Sequence, residues 1–129
     1  MEISYRHDLP SKEAIYAFYD AMDWNSYLKL TPGQLHKAMQ QSYASVYAYK
    51  NTQLVGTGRV VSDGVINAYL CGIGVLPDFR RQGIGAEITK RLTAHCKAHS
   101  LHVQILCEEH LIPYYEKLGF KKFATGMKS

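Results

Sequence analysis

Val75-Leu76-Pro77-Asp78-Phe79-Arg80-Arg81-Gln82-Gly83-Ile84-Gly85-Ala86 is the stretch whose reading decides the fold. An apolar run from Tyr69 to Leu76 leads into it and stops at Pro77, which cannot donate to a sheet ladder. Beyond it Ile84, Ile88, Leu92 and Cys96 recur every four positions, the spacing of one helix face. The two glycines therefore sit where a strand hands over to a helix, with two arginines just ahead of them. A helix N-terminus carries unpaired N–H groups and a partial positive charge. Glycine there lets a ligand approach the backbone, because no Cβ intervenes. The stretch reads as an anion site with a preference for phosphate or pyrophosphate.

The motif narrows the choice of phosphate ligand. A Walker loop, Gly-x-x-x-x-Gly-Lys-Ser/Thr, is absent from the sequence. A dinucleotide fingerprint fails twice: Gly72-Ile73-Gly74 has Pro77 in place of the third glycine, and Gly83-Ile84-Gly85 has Ile88 there. What remains, Arg80-Arg81-Gln82-Gly83-Ile84-Gly85, resembles the pyrophosphate loop of the GCN5-related N-acetyltransferase (GNAT) superfamily. That pattern is Gln/Arg-x-x-Gly-x-Gly/Ala, and Arg80, Gly83 and Gly85 fill its fixed places. A second block, Cys107-Glu108-Glu109-His110-Leu111-Ile112-Pro113-Tyr114-Tyr115-Glu116-Lys117-Leu118-Gly119-Phe120, is similar to the family's closing Tyr-Glu-Lys-x-Gly-Phe. The likeness runs from Val55 to Phe123 and is nearest to the arylalkylamine-acetyltransferase-like branch, which has a comparable Cys-Glu-x-x-x-x-Pro-x-Tyr sequence.

Composition sets the frame. The 129 residues are enough for one domain over 1–129 with a core that needs no staples. The N-terminus lacks a signal-type apolar core and no run reaches membrane length, so the sequence reads as cytoplasmic with no membrane partner. Three cysteines, Cys71, Cys96 and Cys107, cannot all pair and show no metal spacing; they read as buried free thiols. His95, His99 and His102 likewise give no zinc pattern, so no metal site is expected. The net charge of +4 suits a polyanionic ligand, but no basic stripe with interleaved aromatics points to nucleic acid.

Taken in order, Glu2 to His7 reads as a strand, and Ile15, Phe18, Tyr19 and Met22 as a helix face. Asp23 to Tyr27 reads as a loop. Thr31-Pro32-Gly33-Gln34 starts a second helix with a capping box. Ala44 to Lys50 and Gln53 to Val61 form a hairpin, and Asp63-Gly64 turns the chain into a third strand, Ile66 to Leu76. The main helix spans Gln82 to His99. Leu101 to Cys107 must cross back as a parallel strand. A short helix, Ile112 to Leu118, and a last strand, Phe120 to Ala124, complete the chain. The fold class is α+β, and the resemblance implies the GNAT acyl-CoA N-acyltransferase fold. That is a mixed, mostly antiparallel sheet of about six strands, with a central parallel pair splayed at the cofactor site and about four helices.

The resemblance implies acetyl-CoA as cofactor and transfer of its acetyl group to a primary amine, expected to be that of a small molecule, by direct attack. The amides of Arg81, Gln82, Gly83, Ile84, Gly85 and Ala86 would take the pyrophosphate, with Arg80 and Arg81 adding charge. Gly72 and Gly74 weaken their strand and mark a bulge or close approach, so backbone groups around Ile73, Gly74 and Val75 would pair with the pantetheine arm. Tyr115 holds the place of the family tyrosine that protonates the departing thiolate. A phenol with pKa about 10 can give its proton to a thiolate whose acid has pKa about 8.5. Tyr114 reads as a packing residue. The branch's strand histidines are missing, since Tyr69 and Cys71 stand there. Glu108 is the remaining candidate for deprotonating the amine, through water with Glu109 and His110. Trp24 and Tyr27, read first as apolar anchors, fall where the fold borders its acceptor pocket. The resemblance also allows a homodimer. The rival readings are a non-catalytic acyl-CoA-binding module and a protein lysine or N-terminal acetyltransferase.

Overall fold

The computed structural model describes residues 2–129. Five strands form one sheet in the order β1-β2-β3-β4-β5: β1 (Ser4–Arg6), β2 (Ala44–Lys50), β3 (Gln53–Ser62), β4 (Asn67–Val75) and β5 (His102–Ile105). The first four are antiparallel neighbours and β4–β5 is parallel. Five helices accompany them: α1 (Lys12–Ala21), α2 (Asn25–Leu28), α3 (Pro32–Gln40), α4 (Ile84–Ala98) and α5 (Ile112–Glu116). Local chemistry sets the ends. Ser11 caps α1 through the Ala14 N–H, and Thr31 with Gln34 closes the capping box of α3. Between β3 and β4 the Asp63 carboxylate accepts from the Val65 and Ile66 N–H groups (2.8 and 2.7 Å), and Gly64 takes φ +79°.

Both sheet faces are covered. Val46, Ala48, Val55, Val60, Ala68 and Leu70 meet Ile84, Ile88, Leu92 and Cys96 of α4. On the other face Tyr47 and Leu54 meet Ile15, Phe18 and Tyr19 of α1 and Leu35 and Met39 of α3. The helical four-residue spacing of α4 is thus a stripe buried on the sheet. It lies so close to β3 that a Cβ on Gly58 would stand 2.5 Å from Ile88 Cγ2 and 3.1 Å from Leu92 Cδ1. Gly58→Ala is therefore expected to lower the unfolding free energy by about 1–3 kcal/mol through overpacking. Urea denaturation measures it, and an unchanged midpoint would contradict the tight helix–strand seat.

Two expectations are corrected. Residues 120–124 form no strand: the chain turns back after α5, the Phe120 N–H donating to the Tyr115 carbonyl (3.1 Å), and then runs past β5 without a ladder. Side chains tie it there, Phe123 lying edge-on to His102 with ring centroids 5.8 Å apart. Phe120 is spent on Tyr115 (5.9 Å), and the adjacent Lys121-Lys122 is a poor start for a strand. The sheet accordingly has five strands rather than six. The loop expected at Asp23 to Tyr27 contains a single helical turn, α2, which raises the helix count to five.

Candidate active site

The parallel pair β4–β5 stays in register only from Asn67↔His102 to Leu70↔Ile105. Past that point the strands part. On the β3 side, Arg59 pairs Cys71 and Thr57 pairs Gly74, so β4 carries one residue more than its partner. Gly72, at φ +60°, absorbs the excess, and its carbonyl accepts from Thr57 Oγ1 (3.1 Å). This is a β-bulge at the position the paired glycines mark in the sequence. Below it the Leu76 N–H donates to the Val55 carbonyl (2.9 Å). Alternation along the strand then turns the backbone of Ile73 and Val75 away from β3, toward the opened edge.

A 3-10 turn, Pro77–Phe79, carries the chain from β4 to the glycine loop. Arg81 (φ +64°) and Gly83 (φ +80°) both adopt the left-handed conformation and fold the loop back over the start of α4. Gly83 caps α4 without any side-chain bond, and the helix's first hydrogen bond runs from the Glu87 N–H to the Gly83 carbonyl (3.0 Å). The N–H groups of Ile84, Gly85 and Ala86 are the helix's orphan donors. They open onto a cleft of about 360 Å³ lined by Ile73, Gly74, Val75, Arg80, Arg81, Gly83, Ile84, Gly85, Ala86 and Tyr115, together with Phe79, Leu111 and Tyr114. A second hollow of about 430 Å³, between α3, the start of β2 and α4, contains none of the loop.

Most of the residues singled out from sequence converge on this cleft. Four do not line it, Trp24 among them. Gln82 is exposed on the loop's outer side, Glu108 is exposed ahead of the 3-10 turn Glu109–Leu111, and Tyr27 is 70% exposed on α2. No carboxylate is among the lining residues. Trp24 packs edge-on to Phe18 and Tyr19 (5.9 and 5.0 Å) and lies over β4, 2.6 Å from where a Cβ on Gly74 would be. Gly74 thus makes room for the indole, and Trp24 walls the strand on the face opposite α4.

Two arginines next to each other differ in use. Arg80 Nε donates to the Val75 carbonyl (2.9 Å) and Nη2 reaches Met22 Sδ (3.8 Å), so Arg80 braces the loop against β4. Arg81 is exposed at the mouth. Tyr114 is 41% exposed rather than packed in the core, and its hydroxyl lies 3.5 Å from a Cβ position on Gly85. Tyr115 is half-buried, edge-on to Tyr114 (5.0 Å). Burial, with Tyr114 and Cys107 as lesser causes, raises its phenol above the ordinary value, so the hydroxyl keeps its proton. Cys107, read as a core thiol, is exposed; Cys96 is buried and Cys71 half-buried.

Sequence reasoning missed Tyr114 because helical spacing cannot say which of two neighbouring tyrosines faces a cleft. It also missed the Arg80 brace. No helix is long and apolar enough to cross a membrane, and no group of three potential metal ligands occurs, both among the described residues.

Residues 10–127 match the family model of the acetyltransferase (GNAT) domain. The chain is 32% identical over 79 residues to an uncharacterized N-acetyltransferase, ycf52, of Porphyra purpurea, an alignment covering 60% of this chain and 45% of that one. It therefore spans about half the length of the curated relatives it matches. Among solved structures, a "probable acetyltransferase" of meticillin-resistant Staphylococcus aureus superposes with TM-score 0.82 at 22% identity, covering 99% and 98% of the two chains. A "predicted acetyltransferase" of Clostridium acetobutylicum, solved with acetyl-CoA, superposes at TM-score 0.72 and 15% identity over 99% and 96%.

Proposed function

The chain belongs to the GNAT acetyltransferases, and we propose that it transfers the acetyl group of acetyl-CoA to the primary amine of a small molecule by direct attack within a ternary complex. One observation carries this reading: the bulged, parted edge of β4 and the orphan donors of α4 open onto the same cleft. The bound coenzyme supplies an acyl thioester, activated for attack by nitrogen.

The chain's own residues have distinct tasks. The N–H groups of Ile84, Gly85 and Ala86, with the left-handed turn at Arg81 to Gly83, hold the diphosphate on the helix's positive end. Arg80 keeps that loop against the strand, and Arg81 contributes charge at the mouth. Backbone N–H groups of Ile73 and Val75 orient the pantetheine amides as an added strand would be held. The Val75 carbonyl is already engaged by Arg80, which leaves the N–H groups as the main donors. An N–H at Gly72–Ile73 would polarise the thioester oxygen. As the nitrogen–carbon bond formed and the carbon–sulfur bond broke, the Tyr115 hydroxyl would give its proton to the departing sulfur, and the proton released by the acylated nitrogen would return through water to the Tyr115 phenolate. With no carboxylate lining the cleft, the amine enters in its neutral form rather than losing its proton to Glu108.

The test is release of coenzyme A thiol from acetyl-CoA on addition of small primary amines, lysine peptides or no acceptor, with calorimetry for acetyl-CoA itself. Amine-dependent release with a small amine preferred to peptides is the expected result. Binding without release for any acceptor would leave a coenzyme-binding module instead. Preference for peptides would reassign the acceptor class.

A further inference from the structure

On the face of the sheet opposite α4, one cation stands among neutral groups. Arg59 of β3 is directly opposite Cys71 and Ser45 in the ladder. Its Nε is buried and has no hydrogen-bond partner among the described residues. Its Nη1 makes only a long contact with Ser42 Oγ (3.4 Å). The single ion pair among the described residues is Arg91–Glu87, on the far side of α4, so no carboxylate answers this guanidinium. The groups around it are the phenols of Tyr19 and Tyr47 and the thiol of Cys71. Burial holds each of these above its ordinary pKa, opposed only in part by the guanidinium, by the closeness of the Tyr19 hydroxyl to it and by that of Ser45 to Tyr47, so none supplies negative charge near neutral pH. Tyr47 Oη, too, is buried without a partner. A half-buried cation with an unpaired donor is costly unless an anion completes it.

The position of the cluster says which anion. A Cβ on Gly72 would stand 3.4 Å from Tyr19 Oη and 3.6 Å from Arg59 Nε. The guanidinium therefore lies against the bulge itself, the point at which β4 and β5 part. Arg59 and Cys71 remain partly exposed, so solvent reaches part of the cluster.

We propose that Arg59, with the hydroxyls of Tyr19 and Tyr47 beside it, binds an anionic group of the acceptor, making the substrate a primary amine that carries a carboxylate or phosphate a few bonds from its nitrogen. The inference rests on the transfer reading above and deepens it. A guanidinium presents a planar fork of donors that matches either anion. Neutral hydroxyls beside it suit the remaining acceptor oxygens. The amine of such a molecule is then delivered beside Gly72–Ile73, where the acyl group is expected.

The experiment compares matched acceptors in the thiol-release assay: an amino acid against its amide, and an aminoalkyl phosphate against the corresponding amino alcohol. Wild type is expected to prefer the anionic member about 10- to 100-fold in kcat/KM, the scale of a charge-assisted pair. The carboxylate and phosphate arms identify which group is read. In Arg59→Gln the preference should vanish while calorimetric affinity for acetyl-CoA is unchanged, and Arg59→Lys should keep part of it. Equal or better use of the uncharged member by wild type overturns the proposal without any variant. Survival of the preference in folded Arg59→Gln overturns it too. If no amine of any class is acetylated although acetyl-CoA binds, the transfer reading fails on its own. Calorimetry with acetate and inorganic phosphate then decides the anion site: binding to wild type but not to Arg59→Gln supports it, and no binding overturns it.

Discussion

Gly85→Asp is expected to weaken acetyl-CoA binding by at least about 100-fold while leaving the protein as stable as before or slightly more so. Gly85 is the second residue of α4, between two other orphan donors, and its missing side chain faces the cleft. A Cβ there would find only ordinary contacts, 3.5 Å to Tyr114 Oη and 3.7 Å to Val75 Cγ2. The fold therefore accepts it. The carboxylate would itself occupy the helix's positive end, a placement worth about 0.3–1 kcal/mol to a helix. It would also bring a negative charge to where a diphosphate must sit. Losing the shared donors and gaining repulsion should cost about 3 kcal/mol of binding, which is a factor of about 100. Gly85→Ala adds only a methyl and no charge, at a place where the family pattern takes Gly or Ala, so it should bind within a few-fold of wild type. Titration calorimetry and a thermal melt read the two signs independently. Unchanged affinity in Gly85→Asp would place the coenzyme elsewhere.

The binding half of that prediction was available from sequence, because strand end, paired glycines, helix start and apolar spacing all fall within a few residues of Gly83. The stability half needed the structure, since it rests on the Tyr114 and Val75 contacts. The bulge was legible for the same reason, since two glycines in one apolar strand signal a break in pairing. What escaped depends on neighbours distant in the chain. Arg59, Cys71, Tyr19 and Ser42 meet only through the β2–β3–β4 register and the packing of α1 on it. Arg80 looked like a phosphate contact, yet its side chain turns back onto Val75. The last strand was expected at Phe120 to Ala124, in an element order that the resemblance also predicts, but an element order does not say whether a ladder partner is in reach. In the structure the tail holds β5 by side chains alone.

Tyr115→Phe is the second large effect: kcat should fall about 100-fold or more with acetyl-CoA affinity unchanged, the range of a lost general acid. Tyr115 lines the cleft beside the parted strands, and the ring keeps its edge contacts with Tyr114 and Phe120 when the oxygen is removed. Because no hydrogen bond within the described residues depends on that oxygen, stability should change little. Tyr114→Phe separates the two tyrosines. Its hydroxyl faces Gly85, so it should raise the KM for acetyl-CoA and spare kcat. The pH profile supplies a further check. Burial raises the Tyr115 phenol above 10.0, and the proton-donating form is the neutral one. Wild-type kcat should therefore show no acid-group loss until the pH exceeds that ordinary value, and any alkaline fall should disappear in Tyr115→Phe. Full activity in Tyr115→Phe would mean that the thiolate leaves unassisted, taking its proton from water. That outcome is chemically open because a thiolate is a good leaving group, and it is what gives the measurement its power to decide.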